Sequence, residues 1–399
     1  MDATKGAFNN ISDNAVSGKY VITSTGGESV RAFVPNSLPP RPPIQLSSHE
    51  YDLTGRANRA LGRLDGVSSL LPDPSLFIHF YVRKEALLSS QIEGTQSSLS
   101  DLLLFESEEA PGVPLDGVQE VSNYVAAMNY GLKRLREDGF PLSLRLIREI
   151  HEVLLHKGRG SDKQPEEFRR SQNWIGGSRP GNARFVPPPP QLVLPCMANL
   201  EEFLHDRPES TPVLTKAALA HVQFETIHPF LDGNGRVGRL LITLILCAEK
   251  ALQEPLLYLS LYFKRNRDEY YDRLQRVRIR GEWIQWLQFF FEGVRETAQQ
   301  AAFTAKEILS LFDEDRKQIE VLGRQAGSAQ RIHTLLQNNP LVTIPKAAHQ
   351  LSMSQPTITS VLQTLERIGI VREVTGKQRD RIYVYDPYLK ILERGTESS

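Results

Sequence analysis

Hydrophobic positions recur with a helical period along most of the chain. The stretch HEYDLTGRANRALGRLDGV, which begins after Ser48, places Leu53, Ala57 and Leu61 on one face, as in an amphipathic helix. After the break LPDPS, the stretch LFIHFYVRKEALLSSQIEG repeats this pattern and stops at Gly94, a residue type common at helix C-termini. We predict a second block of helices at 118–137, 143–157, 196–205, 213–226, 237–251 and 267–295.

Three segments depart from this pattern, and a fourth continues it as a connector. Residues 1–47 are rich in Ser, Asn, Gly and Pro, a composition that favours an extended arm over a folded unit. Residues 105–117, FESEEAPGVPLDG, have the acidic and proline-bearing sequence of a loop. At 169–193, polar and apolar residues alternate around a centre rich in Gly, Asn and Pro, which predicts a small β-hairpin or flap beside the helices. The amphipathic residues 297–325 predict a helical connector.

The last part of the chain has a different pattern. The stretches RIHTLLQNN, IPKAAHQL and SQPTITSVLQTLERIGIV predict three short helices, and VREVTGKQRDRIYVYD alternates like two strands around a Gly-Lys turn. Three helices followed by a hairpin form a winged helix-turn-helix. We therefore expect a mainly α fold with an arm at 1–47, an N-terminal helical region at 48–117, a core at 118–296, a connector at 297–325 and a winged helix-turn-helix domain at 326–399.

Composition and charge restrict where this protein works. Lys plus Arg and Asp plus Glu both number 47, so no overall field draws the chain to nucleic acid or to an acidic membrane. Cys196 and Cys247 are too few for a disulfide scaffold or a zinc cluster, which favours a reducing compartment. The first residues lack the pattern of a signal peptide, and the longest apolar run, at 240–248, is far shorter than the ~20 residues of a spanning helix. We expect a cytoplasmic protein without a membrane partner.

The stretch HPFLDGNGRVGR at 228–239 carries the strongest chemical signal. Gly233, Asn234 and Gly235 precede an apolar stretch that predicts a buried helix, and glycines there let backbone N–H groups turn inward. Such a loop at a helix N-terminus attracts phosphate. Arg236 and Arg239, three residues apart, are placed to clamp the oxygens of a polyphosphate.

Two further residues of this stretch add reactive groups. Asp232 is a hard oxygen ligand suited to Mg²⁺, which commonly takes one carboxylate together with phosphate oxygens. His228 is the one group of the stretch that can accept a proton near neutral pH, so it is the candidate general base. The stretch thus predicts a site for a nucleotide polyphosphate, Mg²⁺ and a proton acceptor.

Three other interpretations of this stretch are weaker. The spacing of Gly233, Gly235 and Gly238 matches the dinucleotide-binding fingerprint, but the preceding KAALAHVQFETI predicts a helix where that fingerprint needs a strand. A purely structural turn does not require His, Asp and two Arg together. The helix face formed by His221, Glu225 and His228 offers metal ligands, but it lacks the HExxH order, which favours ordinary packing.

The stretch 228–239 resembles the signature of the Fic family, written HPFx[DE]GNGRxxR, with every specified position matched. The resemblance covers roughly residues 48–296. It implies an all-helical core with a β-hairpin flap, and the transfer of AMP from ATP to a hydroxyl of a protein target.

The resemblance also implies a role for each residue. His228 would deprotonate the target hydroxyl, Asp232 would hold Mg²⁺ on the α- and β-phosphates, and Arg239 would hold the γ-phosphate. The other residues assigned to the ATP site are Gly233, Asn234, Gly235, Arg236, Val237 and Gly238. The flap would align an extended segment of the target by strand addition. Tyr270 is either an adenine contact or an aromatic residue packed between helices, and the sequence leaves both open.

A second motif, Ser89-x-x-x-Glu93-Gly94, is too short to be informative alone. In this context it resembles the inhibitory helix of Fic proteins in which that helix precedes the core. There the glutamate pairs with the second arginine of the signature, here Arg239, and takes the place of the γ-phosphate. We therefore expect a protein that inhibits itself through Glu93.

The C-terminal domain leaves a second function open. Polar residues of its third helix, Thr357, Ser360 and Gln363, are candidates to face a DNA groove. Positive charge comes from Arg367, Arg372, Lys377, Arg379 and Arg381. The alternative to a transferase is a nucleotide-responsive, DNA-binding transcriptional regulator, although winged helices also serve as dimerisation or docking modules.

The expected partners follow from these interpretations. They are ATP, a target protein with a hydroxyl side chain, the chain itself as a substrate, a second copy in a homodimer, and DNA through residues 326–399. Removal of AMP by the same site stays open.

Overall fold

The computed structural model describes residues 14–15, 17–70, 74–106, 115–377 and 381–396, and within these ranges the chain is mainly helical. This confirms the predicted fold class. The helices are α1 (Ser48–Leu70), α2 (Pro74–Ile92), α3 (Leu99–Glu106), α4 (Leu115–Arg136), α5 (Leu144–Leu154), α6 (Pro190–Leu204), α7 (Val213–Ile227), α8 (Asn234–Ala248), α9 (Ser260–Arg265), α10 (Arg267–Arg280), α11 (Trp283–Glu320), α12 (Ala326–Asn338), α13 (Ile344–Leu351), α14 (Gln355–Arg367) and α15 (Asp386–Glu393). The strands are β1 (Asn14–Ala15), β2 (Gly18–Thr25), β3 (Glu28–Pro35), β4 (Leu341–Thr343), β5 (Arg372–Glu373) and β6 (Ile382–Val384).

Helices α7 and α8 pack against each other at the centre of the molecule, with α4 and α5 beside them. The run LLITLIL of α8 is buried on all sides, as a helix without a polar face requires. Helix α2 packs against α4 and α9 and also contacts α8, so its C-terminal end lies near the N-terminus of α8. None of the helices in the described ranges has the length and apolar character to span a bilayer.

The N-terminal residues form a sheet, which corrects the expectation of an extended arm at 1–47. Strands β2 and β3 pair in antiparallel register around Gly26 and Gly27, which both have positive φ, and β1 pairs with β2. Ala32 and Phe33 of β3 are buried. The alternation in GKYVITST and ESVRAFVP and the Gly-Gly turn between them are a hairpin signal that outweighs the polar composition. Residues 1–13 of the expected arm lie outside the described ranges.

The long predicted helix at 267–295 is two helices. Helix α10 ends at Arg280, because the next residue, Gly281, has a φ of 67°, and α11 then runs for 38 residues from Trp283. The expected boundary between core and connector at 296 and 297 therefore falls inside a continuous helix. Its apolar face continues through Thr297, Ala298 and Ala301, which are buried, and α11 packs along α1.

The flap at 169–193 has less strand structure than a full hairpin. A single antiparallel bridge joins Ile175 to Phe185, and a short 3₁₀ turn at Pro180–Asn182 closes the tip. Four consecutive prolines follow, which lack the N–H groups that a longer ladder needs. Strand β3 supports this side of the flap, because the N–H of Phe33 donates to the carbonyl of Val186 at 2.9 Å.

The C-terminal part contains helices α12 to α14 and an antiparallel sheet in the order β4-β6-β5. Helix α15, which the sequence pattern did not predict, follows the sheet and packs against α2. Lys84 of α2 is buried, and its Nζ donates to the carbonyls of Leu392 at 3.1 Å and Arg394 at 2.7 Å. Arg379, one of the predicted basic residues, lies outside the described ranges.

Candidate active site

The turn between α7 and α8 is held in shape by its own residues. His228 ends α7 in the left-handed region, with φ 49° and ψ 62°, and Gly233 has φ 77° before α8 begins. The side chain of Asn234 closes the turn, because its Oδ1 accepts the N–H of Phe230 at 2.8 Å and its Nδ2 donates to the carbonyl of Phe230 at 2.9 Å. The amide of Asn234 is thus occupied by the turn, and only its backbone N–H is left for a ligand.

His151 of α5 fixes the same turn from the other side. Its ring stacks on Phe230 with centroids 3.7 Å apart and planes 6° apart. Nδ1 of His151 accepts the N–H of Glu166, so the ring proton is on Nε2 and is donated to the carbonyl of Asp232 at 3.0 Å. Burial lowers the pKa of His151 to about 4, so the ring is neutral at neutral pH. Sequence reasoning missed this residue.

The first turn of α8 provides the positive side of the site. The backbone N–H groups of Asn234, Gly235 and Arg236 have no acceptor inside the helix, as at every helix N-terminus. The buried guanidinium of Arg236 lies 3.6 Å from Glu120 and 3.7 Å from Asp232, and its Nη1 has no hydrogen-bond partner among the described residues. This combination is suited to an anion such as a phosphate.

Arg239, one turn further along α8, is bound by the end of α2. Its Nη2 donates to Oε1 of Glu93 at 2.7 Å and to the carbonyl of Ser89 at 3.0 Å, and its Nε donates to Oγ of Ser89 at 2.8 Å. A Cβ on Gly235 would collide with the same carboxylate, so Glu93 lies directly against the first turn of α8. The structure brings together the two motifs that the sequence analysis identified separately.

The electrostatics of the Glu93–Arg239 pair favour its charged form. Burial alone would raise the pKa of the Glu93 carboxyl, but the guanidinium of Arg239 and, more weakly, Arg236 hold that pKa below its ordinary value. The side chain of Arg239 is almost completely buried, whereas that of Glu93 is one-third exposed. The pair is therefore intact at neutral pH, with its acidic partner next to the solvent.

The imidazole of His228 is available as a proton acceptor. Its Nδ1 is buried and has no hydrogen-bond partner in the part of the chain that the structure describes. Burial lowers the pKa of His228 to about 3, with help from the charges of Arg278 and Arg169, while Glu93 acts in the opposite direction. The ring is neutral at neutral pH, which is the form that a general base needs.

Asp232 stands at the rim of the site with a partly exposed carboxylate. Its Oδ1 accepts the N–H of Gly233 at 2.6 Å, and its side chain is 29% exposed. A single carboxylate beside an anion-binding helix end fits Mg²⁺ that arrives with phosphates, because such an ion needs few protein ligands. The described residues contain no cluster of three or more His, Cys, Asp or Glu suited to a metal ion, so phosphate and water would complete the shell.

The cavity formed by these groups has a volume of about 100 Å³. The residues that line it come from the end of α2, from a loop before the flap and from the turn before α8. They are Glu93, Arg159, His228, Leu231, Asp232, Gly233, Asn234, Gly235 and Arg236. Arg159 was not identified from the sequence, because a lone arginine in KGRGSDK has no distinguishing pattern.

Val237, Gly238 and Tyr270, which the sequence analysis assigned to the ATP site, do not line this cavity. Val237 packs in the core, and the carbonyl of Gly238 accepts a hydrogen bond involving Nδ1 of His221 at 2.9 Å. Tyr270 is fully buried, with its hydroxyl 2.9 Å from Nε2 of His221 and its ring stacked on Phe263. Of the two interpretations of Tyr270, the structure has the packed aromatic residue, and both ring nitrogens of His221 are occupied by these contacts instead of a metal.

Two family profiles match this chain: Fic/DOC family N-terminal at residues 51–133 and Fic/DOC family at residues 141–246. A protein adenylyltransferase Fic from Aedes aegypti is 29% identical over 262 residues, which are 61% of this chain and 49% of that protein. "Probable protein adenylyltransferase aq_aa38" from Aquifex aeolicus (strain VF5) is 31% identical over 213 residues, 53% of this chain and 59% of that protein. The chain thus spans about half the length of these relatives.

The fold is similar to a solved structure. The crystal structure of a Fic family protein from Desulfovibrio desulfuricans G20 has a TM-score of 0.56 and 21% identity, and the match covers 86% of this chain and 98% of that one. At 21% identity, this similarity shows a shared fold alone.

Proposed function

Because the chain belongs to the Fic/DOC family, whose N-terminal and Fic domains it carries at 51–133 and 141–246, we propose that it transfers AMP from ATP to a hydroxyl of a protein. The observation that carries the proposal is the single turn that places a neutral imidazole, a carboxylate and the N-terminus of α8 around one cavity. The names of the relatives, protein adenylyltransferases, agree with it.

The reaction follows from these groups. A hydroxyl oxygen of the target attacks the α-phosphorus of ATP, the bond to pyrophosphate breaks, and Nδ1 of His228 takes the hydroxyl proton. The N–H groups of the first turn of α8 and the guanidinium of Arg236 stabilise the phosphate charge. Asp232 would hold Mg²⁺, which supplies further charge neutralisation when it is bound. The flap would align the target segment by strand addition, which suits a Ser, Thr or Tyr side chain in an extended segment, including one of this chain itself.

The resting state is self-inhibited in this proposal. Glu93 occupies the guanidinium of Arg239, which would otherwise bind the γ-phosphate. The cavity of about 100 Å³ is also small beside the roughly 300–1,000 Å³ of pockets that bind small molecules. Full occupation by ATP therefore requires Glu93 to move.

Intact-mass analysis tests the reaction class. After incubation with ATP and Mg²⁺, we expect the purified chain to gain the mass of one or more adenylyl groups slowly, and not to gain it with ADP in place of ATP. Transfer of phosphate alone, or no mass change even for a Glu93→Gly variant, would contradict the proposal. Incubation of the modified chain without ATP also tests for AMP removal.

A second activity, DNA binding by residues 326–396, is favoured by the geometry of α13 and α14. Ser354 caps α14 through its hydroxyl, and Gln355, Thr357, Ser360, Gln363 and Arg367 form an exposed surface on that helix. We infer that this winged helix-turn-helix arrangement presents α14 to a DNA groove. Helix α15 packs on α2, and α2 ends next to Glu93. The proposed DNA-binding domain therefore contacts the helix that carries the proposed inhibitory motif.

Gel retardation tests this activity. We expect binding of duplex DNA that weakens as salt rises, since phosphate contacts release counterions. It should be lost in Arg367→Glu and kept in Arg280→Glu, a control at the exposed C-terminal end of α10. Salt-independent retardation, or equal loss in both variants, would contradict a DNA interface on α14.

A further inference from the structure

Arg169, at the start of the flap, is among the largest fully buried side chains of the protein. Its guanidinium donates to four backbone carbonyls: His228 at 2.9 Å through Nε, Ser171 at 3.2 Å through Nη1, and Pro188 at 2.6 Å and Ile227 at 3.4 Å through Nη2. Its own backbone N–H donates to Pro229 at 2.9 Å.

These bonds join two elements with different tasks. Ser171 and Pro188 belong to the two arms of the flap, and Ile227 and His228 belong to the end of α7 and the turn that follows it. Burial lowers the pKa of Arg169 to about 10, so the side chain keeps its charge at neutral pH. The guanidinium group is planar, so each of its N–H groups points in a fixed direction. When these groups donate to backbone carbonyls, they hold the backbone in position.

We propose that Arg169 is a positioning residue of the transfer reaction, which fixes the flap and the target segment aligned on it against the backbone of His228. This inference rests on the proposed function. The residue acts through His228 and the flap and does not itself reach the reacting atoms.

The conformation of His228 explains why such a residue is needed. A non-glycine residue with φ 49° is in a sparsely occupied region, so its carbonyl must be held by the surroundings. Nε of Arg169 and, more weakly, Nδ2 of Asn173 at 3.4 Å both donate to that carbonyl. A displacement of about 1 Å between the base and the hydroxyl costs on the order of 10²-fold in rate.

The charge of Arg169 has a second, separable effect on His228. Arg169 from the flap and Arg278 from α10 lower the pKa of the imidazole, whereas Glu93 and the backbone carbonyl of Glu225 raise it. Arg159, Asp232 and Arg236 line the same cavity. Removing only the charge of Arg169 therefore moves the pKa of His228 upward, and the acidic limb of the pH–rate profile, where the base becomes protonated, moves to higher pH.

Two substitutions separate geometry from charge, both made in the full chain with Glu93→Gly as the active parent. Arg169→Lys keeps the charge and loses the fork, and Arg169→Met loses both. We expect maximal self-transfer at saturating ATP to fall about 10- to 100-fold in both variants, with ATP affinity close to that of the parent. The acidic limb of the pH–rate profile should move to higher pH in Arg169→Met alone.

Arg170→Met is the control, because Arg170 is exposed and pairs with Glu167.

Carbonyl NMR decides the inference without any turnover. The backbone carbonyl signals of Ser171 and His228 should shift in Arg169→Lys and Arg169→Met, because both variants lose the fork that donates to these carbonyls, and should stay at the parent position in Arg170→Met. If Arg169→Lys keeps the parent carbonyl signals, or if it transfers as fast as the parent, the inference is overturned. Failure of the Glu93→Gly parent to transfer AMP would instead overturn the proposed function, and the carbonyl signals would still decide the role of Arg169.

Discussion

The Glu93→Gly variant is expected to transfer AMP about 100-fold faster than the unmodified chain, the order of magnitude that correct placement of a reacting phosphate gives. The substitution removes the carboxylate from Nη2 of Arg239 and from the first turn of α8. Arg239 keeps its bonds to the hydroxyl and carbonyl of Ser89, so the guanidinium stays in place for the γ-phosphate. Initial rates with labelled ATP, followed as label on protein, measure the effect.

The matched control is Glu93→Gln, which keeps the shape and can still accept a hydrogen bond from Arg239. Because a neutral amide binds a guanidinium less strongly than a carboxylate does, we expect activation between that of the parent and that of Glu93→Gly. ATP should also protect Glu93→Gly against thermal unfolding more than it protects the parent, since a ligand stabilises the state that binds it. Equal rates in all three proteins would show that the ion pair does not restrain the reaction.

A modest fall in pH from neutral is not expected to activate the unmodified chain in the way that Glu93→Gly does. The pKa of Glu93 is lowered in the folded chain, so the stability that its charge contributes is present above its ordinary pKa and is lost only as pH falls through the lowered value. In the proposed self-inhibition, release therefore needs a competing contact on α2 or on Glu93 itself. The packing of α15 on α2 offers one physical route to such a contact.

The parts of this site that could be predicted are those formed by residues adjacent in the sequence. The turn at 228–239 carries its imidazole, carboxylate, glycines and arginines within a single stretch, and helix periodicity places it before α8. The partnership of Glu93 with Arg239 joins residues 146 positions apart, and local pattern alone does not reveal it. It was found because the short motif resembles one known beside this signature.

The parts that could not be predicted depend on contacts with backbone atoms. Arg169 and His151 bind carbonyl and N–H groups, which every residue has, so no complementary side chain marks them in the sequence. Tyr270 was ambiguous because an aromatic residue at a helical spacing suits a core as well as a pocket. The pattern at 267–320 did not show that α11 continues past residue 296, since packing along α1 supports that helix.

Replacing His228 is expected to have the largest effect of all. Removal of a positioned general base costs about 10²–10⁴-fold in rate, so transfer by a Glu93→Gly, His228→Ala double variant should fall by that amount from its Glu93→Gly parent. ATP binding should stay close to that of the parent, because phosphate is held by the first turn of α8 and by the arginines. Both quantities are measured on the same protein, by labelled transfer and by calorimetric titration with ATP.

Two further variants make the His228 result specific to proton transfer. Histidine already holds φ 49° here, and asparagine adopts the left-handed region more readily than alanine does but has no basic nitrogen. His228→Asn should therefore fold like the parent and be as inactive as His228→Ala, and the exposed His156→Ala should transfer normally. Transfer by His228→Asn at the parent rate would assign the base to another group. Loss of ATP binding together with transfer would make His228 a structural residue of the turn, because a base that acts only on the hydroxyl has no part in holding the nucleotide.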